Sequence, residues 1–349
     1  MRRWLTPLAR GFGCAVKIRE QLYHRGWIRP GRLERPVISV GNLTVGGTGK
    51  TPVVIFIAEW LLKNELRPAI LTRGYGRSTQ VPLVIEPGAP RAVDPRHVGD
   101  EPALMARKLP TVPILVSRDR CRAGREAEKR FGVDVHILDD GFQHWRLARD
   151  LDLVLLDSTQ ALAEEALVPA GRLREPLAAL RRADALMLTR AELANPQANE
   201  MLVRAVNPRP PVFHSTTELT HLVDMRTGEF HAPCRFQNKP VMVFAGLGNP
   251  QGFFQAVRRW GFNVVGEKAF ADHHRYSPGE LMEMARQARA RGAEACLTTE
   301  KDGMNFPRGL AAAISPPLLE CAIRVQVNEA AAFEAMLGRA LHHREEKNA

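Results

Sequence analysis

The run Gly41-Asn42-Leu43-Thr44-Val45-Gly46-Gly47-Thr48-Gly49-Lys50-Thr51-Pro52 holds the densest chemistry of this 349-residue chain. It follows the apolar stretch Pro36–Val40 and opens a helical one. Gly49-Lys50-Thr51 fits the phosphate-cradling template G-x-x-x-x-G-K-[ST], with Thr44 standing where the template has its first glycine. Glycines let backbone amides turn toward phosphate oxygens, and the start of a helix adds partial positive charge. Thr44 through Thr51 are therefore the candidate ATP loop. Lys50 reaches the β- and γ-phosphates, and the Thr51 hydroxyl is a ligand for Mg²⁺. A second run, Val133–Leu138, ends in Asp139-Asp140. Paired acids at the carboxyl end of a strand beside such a loop are where a metal–nucleotide complex needs carboxylates. Gln143 and His144 follow at the same edge. The two runs together predict hydrolysis or transfer of a nucleotide phosphoryl group, and leave the acceptor open.

Four further polar clusters fall where strands end or loops begin: Thr72–Arg77, Gly99–Pro102, Ser117–Arg120 and Gly171–Pro176. Taken singly, Asp100 and Asp119 read as helix caps and the arginines as a solvated face.

Positioning these residues requires a particular scaffold. Apolar strands (36–40, 68–72, 113–116, 133–138, 151–156, 185–189) alternate with helical stretches (50–63, 100–108, 119–130), the pattern of a parallel sheet covered on both faces. Residues 207–239 break that rhythm with Pro208, Pro210, Pro211 and a Thr227-Gly228 turn, as a β-ribbon or linker does. Strands at 241–245 and 295–298 and helices at 250–259, 278–291 and 328–343 then resume it. The expected fold is α/β: two α/β units joined by a β-rich linker. The boundaries are 1–30 for an N-terminal helix, 31–211 for the nucleotide core, 212–239 for the ribbon and 240–349 for the second unit.

Composition narrows the class. Hydrophobic residues are 45% and charged residues 25%, the balance of an ordinary globular chain. Lys and Arg number 49 against 38 Asp and Glu, a net +11 that favours anionic partners. Aromatic residues are only 6% and no nucleic-acid motif is present, so nucleic acid is not the expected partner. Five dispersed cysteines without a C-x-x-C pair speak against a disulfide framework or zinc site and for a reducing compartment. Residues 4–28 read as a basic amphipathic helix rather than a signal peptide. Trp4, Leu5, Leu8, Phe12, Ala15, Val16, Ile18, Leu22, Tyr23 and Trp27 share one half of its wheel, opposite Arg2, Arg3, Arg10, Lys17, Glu20, His24 and Arg25. Such a helix can lie in an anionic membrane interface.

These runs resemble the tetraacyldisaccharide 4′-kinase family, the lipid A 4′-kinases of Gram-negative bacteria. The likeness rests on Gly41–Pro52, Leu71–Gly76, Val98–Pro102, Leu138–His144, Gly171–Pro176, Phe270–His274 and Thr298–Asp302, and spans roughly residues 4 to 325. It implies two P-loop-like α/β/α units joined by a two-stranded ribbon. The implied reaction carries the ATP γ-phosphate to the 4′-hydroxyl of a tetraacylated disaccharide 1-phosphate, an anionic glycolipid, at the cytoplasmic face of the inner membrane. The contact with the membrane is peripheral, and no obligatory protein partner is expected. The resemblance further implies that Asp100, paired with a histidine best matched by His273, activates the acceptor hydroxyl, with His274 adjacent as the other possibility. Asp139, Asp140 and Glu175 join Thr51 on the magnesium side. Arg73, Tyr75, Arg120, Gln143, His144 and Arg172 are the expected binders of phosphate or substrate headgroup.

Two other classes compete. Leu188-Thr189-Arg190-Ala191-Glu192 faintly echoes the guanine-reading [NT]-K-x-D motif, which would suit a GTPase or metallochaperone switch. A non-enzymatic module that binds nucleic acid or membrane through the +11 charge leaves the glycine loop unexplained.

Overall fold

The computed structural model describes residues 3–89, 93–307 and 314–348; Arg2, counted on the basic face of the first helix, lies outside them. Along the first part of the chain run α1 (Thr6–His24), β1 (Val37–Asn42), α2 (Lys50–Lys63), β2 (Pro68–Thr72), β3 (Leu83–Ile85), α3 (Pro95–Val98), α4 (Asp100–Lys108), β4 (Ile114–Val116), α5 (Arg120–Phe131), β5 (Val135–Asp139), β6 (Leu151–Asp157), β7 (Ala185–Thr189) and α6 (Gln197–Val206). The remainder comprises β8 (Val212–Asp224), β9 (Phe230–His231), β10 (Pro240–Ala245), α7 (Pro250–Arg259), β11 (Asn263–Ala269), α8 (Pro278–Ala290), β12 (Ala295–Thr299), α9 (Glu300–Gly303), β13 (Leu318–Val327) and α10 (Ala330–Asn348).

Every residue of β1, β2, β5, β6 and β7 is buried, as apolar strands covered on both faces must be. The strands form one sheet in the order β11-β10-β12-β13-β8-β7-β6-β1-β5-β2-β4-β3, with β9 beside β8. Pairing is parallel except at β3–β4, β8–β9 and β8–β13. β1 lies between β5 and β6. The chain leaves it to one side toward β2 and later crosses back to β6, so a crevice opens at the carboxyl ends of these strands.

The two-stranded joint differs in composition from the ribbon expected within 212–239. Its strands are β8 and the distant β13, paired antiparallel from Asp224↔Leu319 to Ser215↔Val327. The first residues of β8 also pair with β7, and those of β13 with β12, so the joint runs directly into both parallel sheets. Along β8 buried positions alternate with less buried ones, as in an antiparallel strand with one face toward water. α10 returns across the joint: Phe333, Met336 and Leu337 pack into the core of the nucleotide unit, with Phe333 against Phe213 and Phe56.

α1 buries only Ala9, Gly13 and Val16, while Leu5 and Ala9 pack with Ala170. Leu8 stays 63% exposed, Ile18 60% and, outside the helix at either end, Trp4 76% and Trp27 72%. Packing thus uses only part of the apolar stripe. No helix of the described residues is long and apolar enough to cross a membrane.

Candidate active site

The glycine loop leaves β1 and enters α2 at Gly49, whose φ of +80° is open to glycine at little cost. Side chains from several elements hold the loop by its carbonyls. Arg172 donates to Val45 O through Nε (3.1 Å) and a terminal nitrogen (2.9 Å). Arg190 donates to Gly47 O (3.0 Å) and Thr189 to Thr48 O (3.0 Å). Lys50 Nζ donates to Asn42 Oδ1 at 3.3 Å and lies 3.5 Å from Asp140.

Asp139 ends β5 and Asp140 follows it, in unlike environments. Arg174 grips both oxygens of Asp140, at 2.8 and 2.9 Å. Burial works against the Asp140 carboxylate, yet Lys50 and Arg174 bring its pKa down to about 2. Asp139 is buried; its Oδ2 accepts the Thr72 hydroxyl at 2.8 Å, and its Oδ1 has no partner. Burial, then Glu101 and Asp140, push its pKa up to about 7. The unpaired buried Asp139 oxygen and the Thr51 hydroxyl are hard-oxygen donors of the kind that fit Mg²⁺ completed by phosphate oxygens, and Asp140 joins them only by exchanging Arg174 for the metal.

Glu175 does not join that set. It is fully buried and held by Arg182 (2.6 Å), Arg19 of α1 (3.1 Å) and Trp145 Nε1 (3.4 Å). Two guanidiniums occupy its oxygens, so the residue expected as a metal ligand instead anchors the N-terminal helix.

Across the crevice, Asp100 is buried at the first position of α4. His273 Nδ1 lies 2.8 and 3.0 Å from its two oxygens, and Asn305 Nδ2 donates to it at 3.3 Å. Burial opposes the Asp100 charge, but His273 and Lys301 outweigh it and hold the carboxyl below the usual range. The same bond keeps the His273 imidazole above its usual value against the opposing effect of burial. His274 turns away to Glu280 (3.1 Å) and stacks on Phe270 with ring centres 4.7 Å apart. Of the two adjacent histidines, His273 is the partner of Asp100.

One cavity of about 1000 Å³ joins the loop, Asp139, Asp140 and His273, and reaches α1 at Phe12, Val16 and Arg19. Arg73, Tyr75, Arg120, Gln143 and His144 line it. Tyr75 faces His273 with ring centres 5.0 Å apart. Burial brings the Arg120 guanidinium down to about 10, which still leaves it cationic at neutral pH. Burial and then Arg120 bring His144 down to about 4, so its ring is neutral there. Arg172 is spent on the loop carbonyl and is absent from the cavity lining.

Several contributors escape the sequence reading. Asp157 binds Arg190 and accepts from Asn249 Nδ2 at 3.0 Å, and Asn249 also reaches Thr159 at 3.0 Å. The Gly248-Asn249 corner of the second unit is thereby pinned over the glycine loop. Arg190, in the segment that echoes a guanine reader, holds Asp157 and the loop, and Glu192 of that segment accepts the Thr217 amide at 3.0 Å. Asn249-Pro250, a capping signal at the start of α7, was the legible trace of that corner.

Comparison with known proteins agrees with this geometry. A family model described as tetraacyldisaccharide-1-P 4′-kinase matches residues 1–342. A tetraacyldisaccharide 4′-kinase from Anaeromyxobacter dehalogenans (strain 2CP-C) is 41% identical over 305 residues, 86% of this chain and 80% of that one. Another from Geobacter sulfurreducens is 37% identical over 331 residues, 95% of this chain and 91% of that one. LpxK from Aquifex aeolicus, crystallised in complex with ATP, superposes with a TM-score of 0.77 at 32% identity, covering 97% of this chain and 99% of that one. With the match running through the loop, the acid pair and the Asp100–His273 pair alike, the chain belongs to the tetraacyldisaccharide-1-P 4′-kinase family.

Proposed function

We propose that this enzyme transfers the γ-phosphate of ATP to the 4′-hydroxyl of a tetraacyldisaccharide 1-phosphate, in the cavity between the glycine loop and the Asp100–His273 pair. The observation that carries the reading is that pair: a buried carboxylate held at 2.8 Å by an imidazole from the other unit, whose ring, with the neighbouring Glu101, lines the same cavity as the loop.

The loop amides and Lys50 hold the triphosphate, as amides and an ammonium at a helix start do. Thr51, Asp139 and Asp140 would hold Mg²⁺, which when bound neutralises charge on the phosphate oxygens. A sugar hydroxyl is a weak nucleophile. Asp100, ionised at neutral pH, accepts its proton as the oxygen attacks phosphorus and the bond to the ADP oxygen breaks. His273 orients that carboxylate. Arg73, Tyr75, Arg120, Gln143 and His144 bind the headgroup.

The open apolar side of α1, with Trp4, Leu8 and Ile18 outward, supports a peripheral seat on the inner membrane that brings the acyl chains to the α1 end of the cavity. The test is Asp100→Asn in a lipid phosphorylation assay. Transfer falls by about 100-fold or more while ATP affinity is kept; full transfer would remove Asp100 from the reaction.

A further inference from the structure

Lys301, in the second unit, faces carboxylates from two parts of the chain. Its ammonium lies 3.3 Å from Glu101 Oε1, 3.2 Å from Asp272 Oδ1 and 3.9 Å from Asp100 Oδ2. The neighbouring residues of α9 grip in other directions. Glu300 binds Lys108 (2.5 Å) and Arg107 (3.6 Å) at the far end of α4. Buried Asp302 accepts the Gly246 amide and the Tyr276 hydroxyl, both at 2.8 Å, inside the second unit. Glu300 and Lys301 thus fasten both ends of α4 to the second unit, Asp302 holds α9 within that unit, and Lys301 is at the end that carries Asp100.

We propose that Lys301 is a positioning residue for phosphoryl transfer: its ammonium binds Asp100, Glu101 and Asp272 into one cluster, offsetting part of their charge, and so seats the Asp100–His273 pair between the two units. The proposal rests on the reading of Asp100 as the base. The charged groups facing the pair are Glu101 of α4, Asp272 beside His273, and Lys301 itself; Asn305 adds a neutral donor. Burial disfavours the ammonium, but Glu101, Asp100 and Asp272 outweigh it and keep Lys301 protonated. Without it, three carboxylates share the space with one imidazole. Like charges at such range do not all stay ionised.

The test is Lys301→Met in the full chain. Turnover falls about ten-fold or more, because the proton acceptor is mis-set, while KM for ATP stays within about two-fold. The His273 ring, followed by NMR of histidine-labelled protein and assigned with His273→Gln, titrates about one pH unit higher, because an opposing charge is gone. Adding Glu101→Gln to Lys301→Met returns the titration toward its parental position and recovers part of the turnover. Parental turnover in Lys301→Met overturns the proposal, and so does lost turnover with an unmoved His273 titration. If Lys301→Met does not fold, Glu101→Gln alone lowers the His273 titration, and an unmoved ring overturns the proposal. Asp100→Asn separates the two ideas. An active Asp100→Asn removes the base reading; an inactive one beside a fully active Lys301→Met removes only the role of Lys301.

Discussion

Gly248→Ala probes how closely the second unit must approach the glycine loop. A methyl built on Gly248 lies 2.4 Å from Gly47 N, 2.8 Å from Gly46 Cα and 3.0 Å from Gly46 C, all backbone. Ordinary contact begins at 3.4 Å, so the two loops must part by about 1 Å. Neither side can yield freely, because Asn249 is tied to Asp157 and Thr159 and Arg190 is tied to Gly47. A displacement of about 1 Å at a phosphoryl-transfer site costs on the order of 100-fold, or about 2.7 kcal/mol of transition-state stabilisation. The expected result is a fall of that size in kcat/KM for ATP, measured by label transfer to lipid. A kcat/KM within about three-fold of the parent would refute the argument that turnover uses this approach.

Three other outcomes follow from the same structure. Glu175→Gln removes the counter-charge of Arg182, which is only 12% exposed, and of the more exposed Arg19; melting should show a loss of roughly 2–3 kcal/mol with the Mg²⁺ requirement unchanged. A stable variant with altered Mg²⁺ dependence would restore Glu175 as a metal ligand. His273→Ala should lower turnover about ten-fold or more, whereas His274→Ala, which loses its contacts to Glu280, Phe270 and Tyr276, should lower the melting temperature and spare transfer. Replacing Trp4, Leu8 and Ile18 by Ser should weaken sedimentation with anionic vesicles by about 100-fold or more, at roughly 1–2 kcal/mol per side chain. Unchanged vesicle binding would remove α1 from membrane docking.

The elements legible in the sequence are those whose physics is local. β2, α4, β7 and α7 fall within one residue of expectation, because fully buried apolar strands, a Gly-Asp-Glu-Pro helix start and an Asn-capped helix announce themselves residue by residue. β11 escapes because it is an edge strand whose Asn263, Glu267 and Lys268 face outward or partly so. β13 escapes because Glu320 and Arg324 interrupt its apolar run; Glu320 is in fact buried against Arg107, a partner more than two hundred positions away. That hidden strand is also why half of the joint was sought in the wrong segment.

The candidate site divides in the same way. The loop and the acid pair were readable as motifs, whereas Asp100 by itself read as a helix cap and stood out only through the family resemblance. The choice between His273 and His274 was not, because neighbouring side chains diverge only through the backbone, which at His273 takes φ +58°. Glu175 was misjudged for a related reason. A carboxylate in a polar loop gives no sign that Arg19 and Arg182 converge on it. Lys301 lay in a recognised motif, but its three carboxylate partners are assembled only by the fold.

The most direct test of the central claim is phosphate transfer itself. Purified protein is given γ-labelled ATP, Mg²⁺ and tetraacyldisaccharide 1-phosphate in detergent micelles. The account predicts label in the lipid phase, absent without Mg²⁺ and absent in Lys50→Ala. Label released only as free phosphate, with authentic lipid and folded protein verified, would contradict it.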